Sequence, residues 1–232
     1  MTFEKLQEIL GPQDPAEWAK HPNGGGWVQV TAKVSPSAFV SEYTIVSGNA
    51  QVYGDTRVYG DAQVYGNAQV YGNARVSGNA QVYGNARVYG NTRVYGDTRV
   101  YGNAQVYGDA QVYGNAQVYG DAWVYGDAWV YGNARVYGDT RVYGDARVYG
   151  DARVYGDAWV YGDAWPKSPL FIVGSRYSLT NAKRGHIQIG CELHTIQWWL
   201  ENGEKVADRE GFTDAEKAEY RAYVELFAQL GL

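Results

Sequence analysis

The chain has 232 residues, a formal net charge of −5, 30 glycines and 22 tyrosines, but only one cysteine and one methionine. This skewed composition differs from that of an ordinary globular domain and directs attention to internal repeats. The absence of a basic run argues against nucleic-acid binding, and the lone Cys191 excludes a disulfide within the chain. Since the charged N-terminal segment is typical of neither a signal peptide nor a membrane span, we expect a soluble, cytoplasmic protein without membrane partners.

Residues 1–26 are predicted to form a helical cap followed by a linker. An apolar stripe at helical spacing predicts the first helix, and it consists of Phe3, Leu6, Ile9 and Leu10. The Asp-Pro-Ala-Glu segment at 14–17 is typical of a second helix start, with a capping Asp and Pro at the first position. The Gly-rich residues 21–26 are predicted to be the linker into the next region.

A six-residue repeat occupies residues 27–165. Valine recurs at every sixth position from Val28 to Val160, and an alanine or threonine stands two residues before each later valine. Because side chains alternate across a strand, both face inward and the residue between them faces outward. Tyrosine follows the valine at 18 of 19 positions from Tyr53 to Tyr161, and Gly with Asp or Asn then marks a bend. Short strands with such regular bends predict a coil whose turns pair at about 4.8 Å.

This sixfold pattern resembles the hexapeptide-repeat family, and the resemblance covers residues 28–165. Members of that family form left-handed parallel β-helices with three hexads in each triangular coil. The resemblance therefore implies a mainly β protein, a left-handed parallel β-helix of about seven to eight coils. The left hand comes from the resemblance, since crossover connections are otherwise right-handed in nearly all cases.

The remaining residues, 166–232, are predicted to form a small α+β cap. The six-residue period ends at Pro166 and Pro169. Two β-rich runs, at 171–173 and 186–189, are predicted to be strands on either side of a polar turn at 181–185.

Two helices are predicted after these strands. Thr195 begins a short helix that contains Trp198 and Trp199 and ends at residues 202–203, Asn-Gly. A capping box at residues 213–216 begins the last helix. Its apolar positions at helical spacing are Tyr220, Tyr223, Val224, Phe227 and Leu230.

The resemblance also implies acyl transfer as one function, because many hexapeptide-repeat proteins use coenzyme A or acyl-carrier protein as acyl donors. Those enzymes work with a histidine base, often beside a loop that interrupts the coil. Here no hexad contains histidine and no loop interrupts the period. The histidines that hold the metal in the related carbonic anhydrases are missing too, so we expect neither a metal nor a cofactor.

The only candidates for catalytic residues lie in the C-terminal region, at His186, Cys191 and His194. With Glu192 or a water they could bind a metal, and a Cys–His pair could form an activated thiol. Their spacing matches no strong zinc signature, and a cysteine after a β-rich run is more often a small buried hydrophobic residue. We favour this structural interpretation.

A local change in the repeat marks the C-terminal half of the coil. The outward residue before valine is Gln or Arg in most hexads, but tryptophan at four late positions. At a period of 18 residues, the predicted binding columns are Trp123, Arg141 and Trp159 on one face and Trp129, Arg147 and Trp165 on the next. These columns could rigidify the coil through cation–π stacking. They could equally form a contact surface, because Trp and Arg lead among interface hot spots.

We therefore expect a non-enzymatic structural or binding β-solenoid that presents its Tyr and Trp/Arg columns to a partner. A protein partner or a second copy of the chain fits these columns, and a small molecule is a further candidate. The alternative is an acyltransferase of the hexapeptide-repeat superfamily that uses acyl-CoA.

Overall fold

A parallel β-solenoid forms the centre of the computed structural model, which describes residues 1–162, 164–165 and 168–230 and omits the side chains of 164 and 165. Short strands recur every six residues, and each residue lies opposite the one 18 positions further along, as Gln51 does with Gln69. Three strands therefore make one turn, and the solenoid has about eight turns. The predicted mainly β solenoid with an N-terminal helix and a C-terminal α+β region is confirmed.

The strands stack into three parallel sheets, which we call faces 1, 2 and 3. Face 1 comprises Lys33–Val34, Gln51–Val52, Gln69–Gly72, Arg87–Gly90, Gln105–Val106, Trp123–Val124, Arg141–Tyr143 and Trp159–Tyr161. Face 2 comprises Phe39–Val40, Arg57–Val58, Arg75–Val76, Arg93–Val94, Gln111–Val112, Trp129–Val130, Arg147–Val148 and Ala164–Trp165. Face 3 comprises Trp27–Gln29, Ile45–Val46, Gln63–Val64, Gln81–Val82, Arg99–Val100, Gln117–Gly120, Arg135–Gly138 and Arg153–Val154.

One dry core runs along the solenoid axis. Every hexad valine from Val40 to Val160 is completely buried, as are nearly all of the alanines and threonines two residues before them. From Gly48 to Gly162 the glycine at each corner turns the chain with a positive φ, for example 69° at Gly78. A Cβ at Gly78 would lie 2.9 Å from the backbone nitrogen of Gly96, so adjacent turns approach too closely for a side chain there.

Deletion of residues 63–80 should leave a folded protein that is shorter by one turn, because each turn contacts only its neighbours. This deletion removes three hexads and brings Tyr59 opposite Tyr95, where Ser77 now interrupts the tyrosine column. Deletion of residues 63–68 should cost more stability, because it turns one end against the other by a third of a turn and places Tyr53 opposite Ser77. Thermal unfolding of both variants measures the difference, and equal losses would contradict three hexads per turn.

The N-terminal helix α1, Phe3–Leu10, begins after Thr2, whose hydroxyl accepts a hydrogen bond from the Lys5 amide. Of the predicted apolar stripe only Leu6 is completely buried, whereas Ile9 and Leu10 are exposed. The helix is therefore anchored to the solenoid mainly through Leu6, which lies in a cluster with Trp18 and Ile45.

The predicted second helix start at residues 14–17 is only a single 3₁₀ turn, Pro15–Glu17. Asp14 caps this turn, since its carboxylate accepts a hydrogen bond from the Ala16 amide at 2.9 Å. The chain then enters the strand Trp18–Lys20, which pairs antiparallel with the first strand of face 3. Burial of the Trp18 side chain in the end of the solenoid explains why pairing prevails over helix formation here.

The predicted linker at residues 21–26 is a packed turn that covers the first turn of the solenoid. The buried His21 ring lies 3.1 Å from the Asn23 carbonyl oxygen and 3.2 Å from that of Ser35. Gly26 approaches face 2 so closely that a Cβ would lie 2.5 Å from Val40 Cγ1.

The C-terminal region consists of a four-stranded antiparallel sheet followed by two helices. The strands are Phe171–Val173, Ser178–Lys183, His186–Ile189 and Glu192–Thr195, in sequential order. Two of them were not predicted, and the predicted polar turn at 181–185 lies mostly in one of them, with Asn181 buried. The Phe171 ring covers the end of the solenoid, with its centroid 5.9 Å from that of Tyr155.

Helices α2, Ile196–Arg209, and α3, Asp214–Gln229, pack on this sheet. The predicted caps at Thr195 and Thr213 are confirmed, but α2 continues through Gly203 instead of ending there. Of the predicted apolar positions in α3, Tyr220, Val224 and Phe227 are buried, whereas Leu230 is exposed. None of the helices in the described part of the chain is long and apolar enough to cross a bilayer.

Candidate functional site

The outward columns of the solenoid are straight because the parallel register repeats every 18 residues. On face 1 this register places Trp123 opposite Arg141, and Arg141 opposite Trp159. The Arg141 guanidinium carbon lies 5.6 Å from the ring centroid of Trp123 and 4.4 Å from that of Trp159. One cation thus lies between two indole rings, in the predicted order. Trp123 is 37% exposed, so its ring is available to a ligand or partner.

Face 2 carries a shorter column. The Arg147 guanidinium carbon lies 4.9 Å from the Trp129 ring centroid, as predicted. The expected third member, Trp165, has a different register: Arg147 lies opposite Ala164, and Trp165 lies opposite Val148. The last strand has therefore shifted by one residue, so the predicted alignment of Trp165 with Arg147 is wrong. The Trp165 side chain lies outside the described residues.

Tyrosine columns run beside these faces. Their rings stack in parallel from one turn to the next, with centroids 4.8 Å apart for Tyr65 and Tyr83 and 5.7 Å apart for Tyr137 and Tyr155. Stacking of outward aromatic residues in adjacent strands accounts for the repeated tyrosine. Because the columns extend along most of the solenoid, they do not by themselves define a local site.

The stacked rings shield the phenol groups from water. Burial, as the main cause, and repulsion from the neighbouring tyrosines, as the second, raise the pKa of Tyr107 and of Tyr143 to about 12. Burial also raises the pKa of Tyr65, Tyr89, Tyr95, Tyr101, Tyr113, Tyr119, Tyr125 and Tyr161. The neutral phenol is therefore the form that fits these columns.

Corner columns of Asn and Asp form a second feature that the sequence analysis did not single out. Each Asn donates its amide N–H to the side-chain oxygen of the residue in the next turn, as Asn103 does to Asp121 at 2.9 Å. The longest such chain starts at Asn49 and ends at Asp121. Towards the C-terminus the corner residues beside faces 1 and 2 are all Asp, so carboxylates adjoin the Trp–Arg stacks. This order could have been found by aligning the corner residues at a spacing of 18.

A cleft of about 350 Å³ lies on face 2 between one acidic corner column and the outward column. Asp109, Asp127 and Asp145 line one side, and Trp129 and Arg147 line the other. The cleft thus presents carboxylates, an indole and a guanidinium to one ligand group, which suits a polar side chain of a partner protein.

The structure does not bring His186, Cys191 and His194 together as a catalytic group. His186 lies opposite Thr195 in the sheet, while His194 lies opposite Ile187, so the two imidazoles are on opposite faces. Cys191 lies in the turn between these strands and is exposed, so the predicted burial of its thiol is wrong. His194 stacks on Trp198 at 3.5 Å, and its Nε2 lies 3.4 Å from a Glu192 carboxylate oxygen. Within the described residues, no group of three His, Cys, Asp or Glu is arranged to hold a metal.

A larger cavity, of about 410 Å³, lies in the C-terminal region beside helices α2 and α3 and the turn that contains Cys191. Its lining includes the aromatic residues Tyr177, Trp199, Phe212 and Tyr220, together with five carboxylates and two cations. This cavity was not predicted from the sequence, because its walls come from five separate segments. The one sequence signal was Gly203, which was interpreted as a helix end.

The solenoid is similar to a known repeat. The family model described as YdcK beta solenoid repeat matches seven segments, residues 50–66, 68–82, 80–96, 110–126, 116–132, 128–144 and 146–162. No curated protein and no solved structure matches the chain. The resemblance to the hexapeptide-repeat family, and the left hand that it implies, stay predictions. Fold and repeat together identify the chain as a β-solenoid repeat protein.

Proposed function

We propose that this protein is a non-enzymatic binding scaffold whose Trp–Arg columns hold a protein partner or a second copy of the chain. The columns are Trp123, Arg141 and Trp159 on face 1, and Trp129 and Arg147 on face 2. The observation that carries the proposal is the Trp123–Arg141–Trp159 stack, in which one cation lies between two indole rings on an accessible face. Trp and Arg are the residues that most often dominate binding energy at protein interfaces.

Two properties of the columns support a binding role over a purely structural one. The solenoid turns with Gln at the same outward position, such as Gln69 and Gln105, have the same strand pairing, so tryptophan is not needed for the fold. In the regular turns from residue 50 onward, tryptophan is confined to the C-terminal end of faces 1 and 2, whereas a bracing element would serve all three faces equally. Trp27, at the start of face 3, packs instead against Phe3 of the N-terminal helix. A local departure from a uniform repeat is where a specific contact is expected.

A second copy of the chain has a particular advantage as the partner. Its outward columns have the same spacing per turn, so a contact made in one turn would recur in the next without a mismatch. We place this assembly in the cytoplasm, where the exposed Cys191 thiol would stay reduced.

Replacement of Trp123 and Trp159 by Gln should dissolve the assembly or release the partner while the monomer stays folded. Each exposed cation–π pair stabilises by about 0.5–1 kcal/mol, so loss of both pairs should cost only about 1–2 kcal/mol of folding stability. Truncation of an interface hot spot costs about 2 kcal/mol or more of binding energy. Native mass measurement, with identification of co-purifying proteins, checks the assembly, and thermal unfolding checks the monomer.

Arg135→Gln/Arg153→Gln on face 3 is the matched control, because it removes outward side chains from C-terminal turns that carry no tryptophan. Trp129→Gln/Arg147→Gln then tests face 2, whose column consists of these two residues. If both double variants of the columns keep the wild-type mass and the same co-purifying proteins, the interface proposal is wrong. Binding of acyl-CoA that is lost in His186→Ala or His194→Ala would instead support the acyltransferase alternative.

A further inference from the structure

The cavity in the C-terminal region has the size and walls of a small-molecule site. Its volume of about 410 Å³ falls within the range of about 300–1,000 Å³ that is usual for such sites. Four aromatic rings, those of Tyr177, Trp199, Phe212 and Tyr220, line it. The Trp199 indole is held in place, because its N–H donates to the Ile187 carbonyl oxygen at 2.8 Å. The walls are therefore formed before any ligand arrives.

The charged residues that line the cavity favour a cation. Lys217 and Arg221 line the cavity, but both are paired with carboxylates. Lys217 Nζ lies 2.5 Å from Asp208, and Arg221 Nε lies 3.1 Å from Glu225. By contrast, no salt bridge in the described part of the chain includes Glu201 or Glu204, which also line the cavity. These two carboxylates lie one helical turn apart on α2, and the hydrogen bond that Glu201 accepts at 2.6 Å comes from the neutral amide of Gln197.

Gly203, between these two glutamates, keeps the wall open. A glycine inside a helix is destabilising relative to alanine, and Gly203 lies in the middle of α2. The fold does not require this glycine, because a Cβ would meet only the Trp199 ring, at an ordinary contact distance of 3.7 Å. A stability cost at a cavity wall, without a packing reason, is consistent with a ligand that occupies the space.

From these three observations we infer that the cavity binds a small organic ammonium ion. The apolar body of the ligand lies against the aromatic walls, and its cationic group lies near Glu201 and Glu204. Aromatic rings attract ammonium groups through their faces, and the carboxylates add a direct electrostatic attraction. This site is separate from the Trp–Arg columns of the solenoid, so its test is independent of the proposed scaffold function.

The full-length protein should bind benzyltrimethylammonium with a Kd at least about tenfold lower than that for benzyl alcohol, and should not bind phenylacetate. Titration calorimetry or ligand-observed NMR measures all three probes. Glu201→Gln/Glu204→Gln should weaken binding of the cation about tenfold and leave the neutral probe unaffected. Gly203→Leu should fill the cavity, abolish binding of both probes and raise the helical stability of α2.

Glu4→Gln/Glu8→Gln in helix α1 is the matched control. It removes two carboxylates at the opposite end of the chain from the cavity and should not change the Kd. Equal affinity for the cation and the alcohol would overturn the inference. Binding of the cation that persists unchanged in the glutamate double variant would also overturn it. The glutamate variant keeps the test decisive if Gly203→Leu fails to fold.

Discussion

Val100→Asp should abolish the cooperative thermal unfolding of the solenoid. Val100 is completely buried on face 3 between Val82 and Val118, in a core lined by valine and alanine. Loss of the valine side chain alone removes about 1.5–3 kcal/mol of burial energy. The carboxylate has no cation in this core, where the nearest polar group in sequence is the buried hydroxyl of Thr98, and a buried charge without a counter-ion adds a larger penalty. Circular dichroism as a function of temperature measures the effect.

Arg99→Asp is the matched control, because it introduces the same carboxylate one residue earlier at an exposed outward position. This variant should unfold within a few degrees of the wild-type protein, since surface substitutions usually change stability by about 0.5 kcal/mol or less. A normal unfolding transition in Val100→Asp would show that the valine does not face a dry core.

The protein should unfold between pH 10 and pH 12. Tyrosine in an unfolded chain ionises near pH 10, while the pKa of Tyr107 and of Tyr143 in the fold is about 12. Below pH 10 both phenols are neutral in the folded and in the unfolded chain, so the fold keeps its full stability with respect to these groups. It is lost as the pH rises to 12, because only the unfolded chain then releases the protons. Eight further tyrosines also have a raised pKa, so their contributions are lost in the same direction as the pH rises and make the transition steeper.

Tyrosinate absorbance and circular dichroism, followed together during an alkaline titration, measure this transition. Tyr107→Phe/Tyr143→Phe should move its midpoint to higher pH, since phenylalanine can occupy the stack and has no proton to lose. Tyr43→Phe, at an exposed position before the regular columns, is the control. An alkaline midpoint that the double variant leaves unchanged would show that the stacked phenols do not drive unfolding.

The solenoid was predictable because its determinants are local and repeated. Val, its small neighbour and the corner glycine recur in each hexad from Val46 to Val160, so 20 copies report the same inward and outward pattern. The Trp123–Arg141–Trp159 stack followed from the same period, because a straight register converts a spacing of 18 into contact. Trp165 did not follow, since the last strand is shifted by one residue where the repeat ends.

The capping regions were predicted less well, because tertiary contacts outweigh local preference there. Gly203 is typical of a helix end, yet packing of α2 against the sheet and α3 carries the helix through it to Arg209. Asn181 is typical of a turn, but it lies buried within the strand Ser178–Lys183, at an irregularity in the pairing with the next strand. The cavity depends on the continuation of α2 past Gly203 and on the four-stranded sheet, because its lining residues come from both.

The succession of Asn and then Asp at the corners makes the solenoid an electric dipole along its axis. Residues 27–96 carry five basic and three acidic side chains, a net charge of +2, whereas residues 97–162 carry five basic and eight acidic ones, a net charge of −3. Two copies that approach side by side would repel each other when their axes are parallel and attract each other when their axes are antiparallel. An antiparallel pair would therefore be the favoured encounter, with the strongest orientation at low ionic strength.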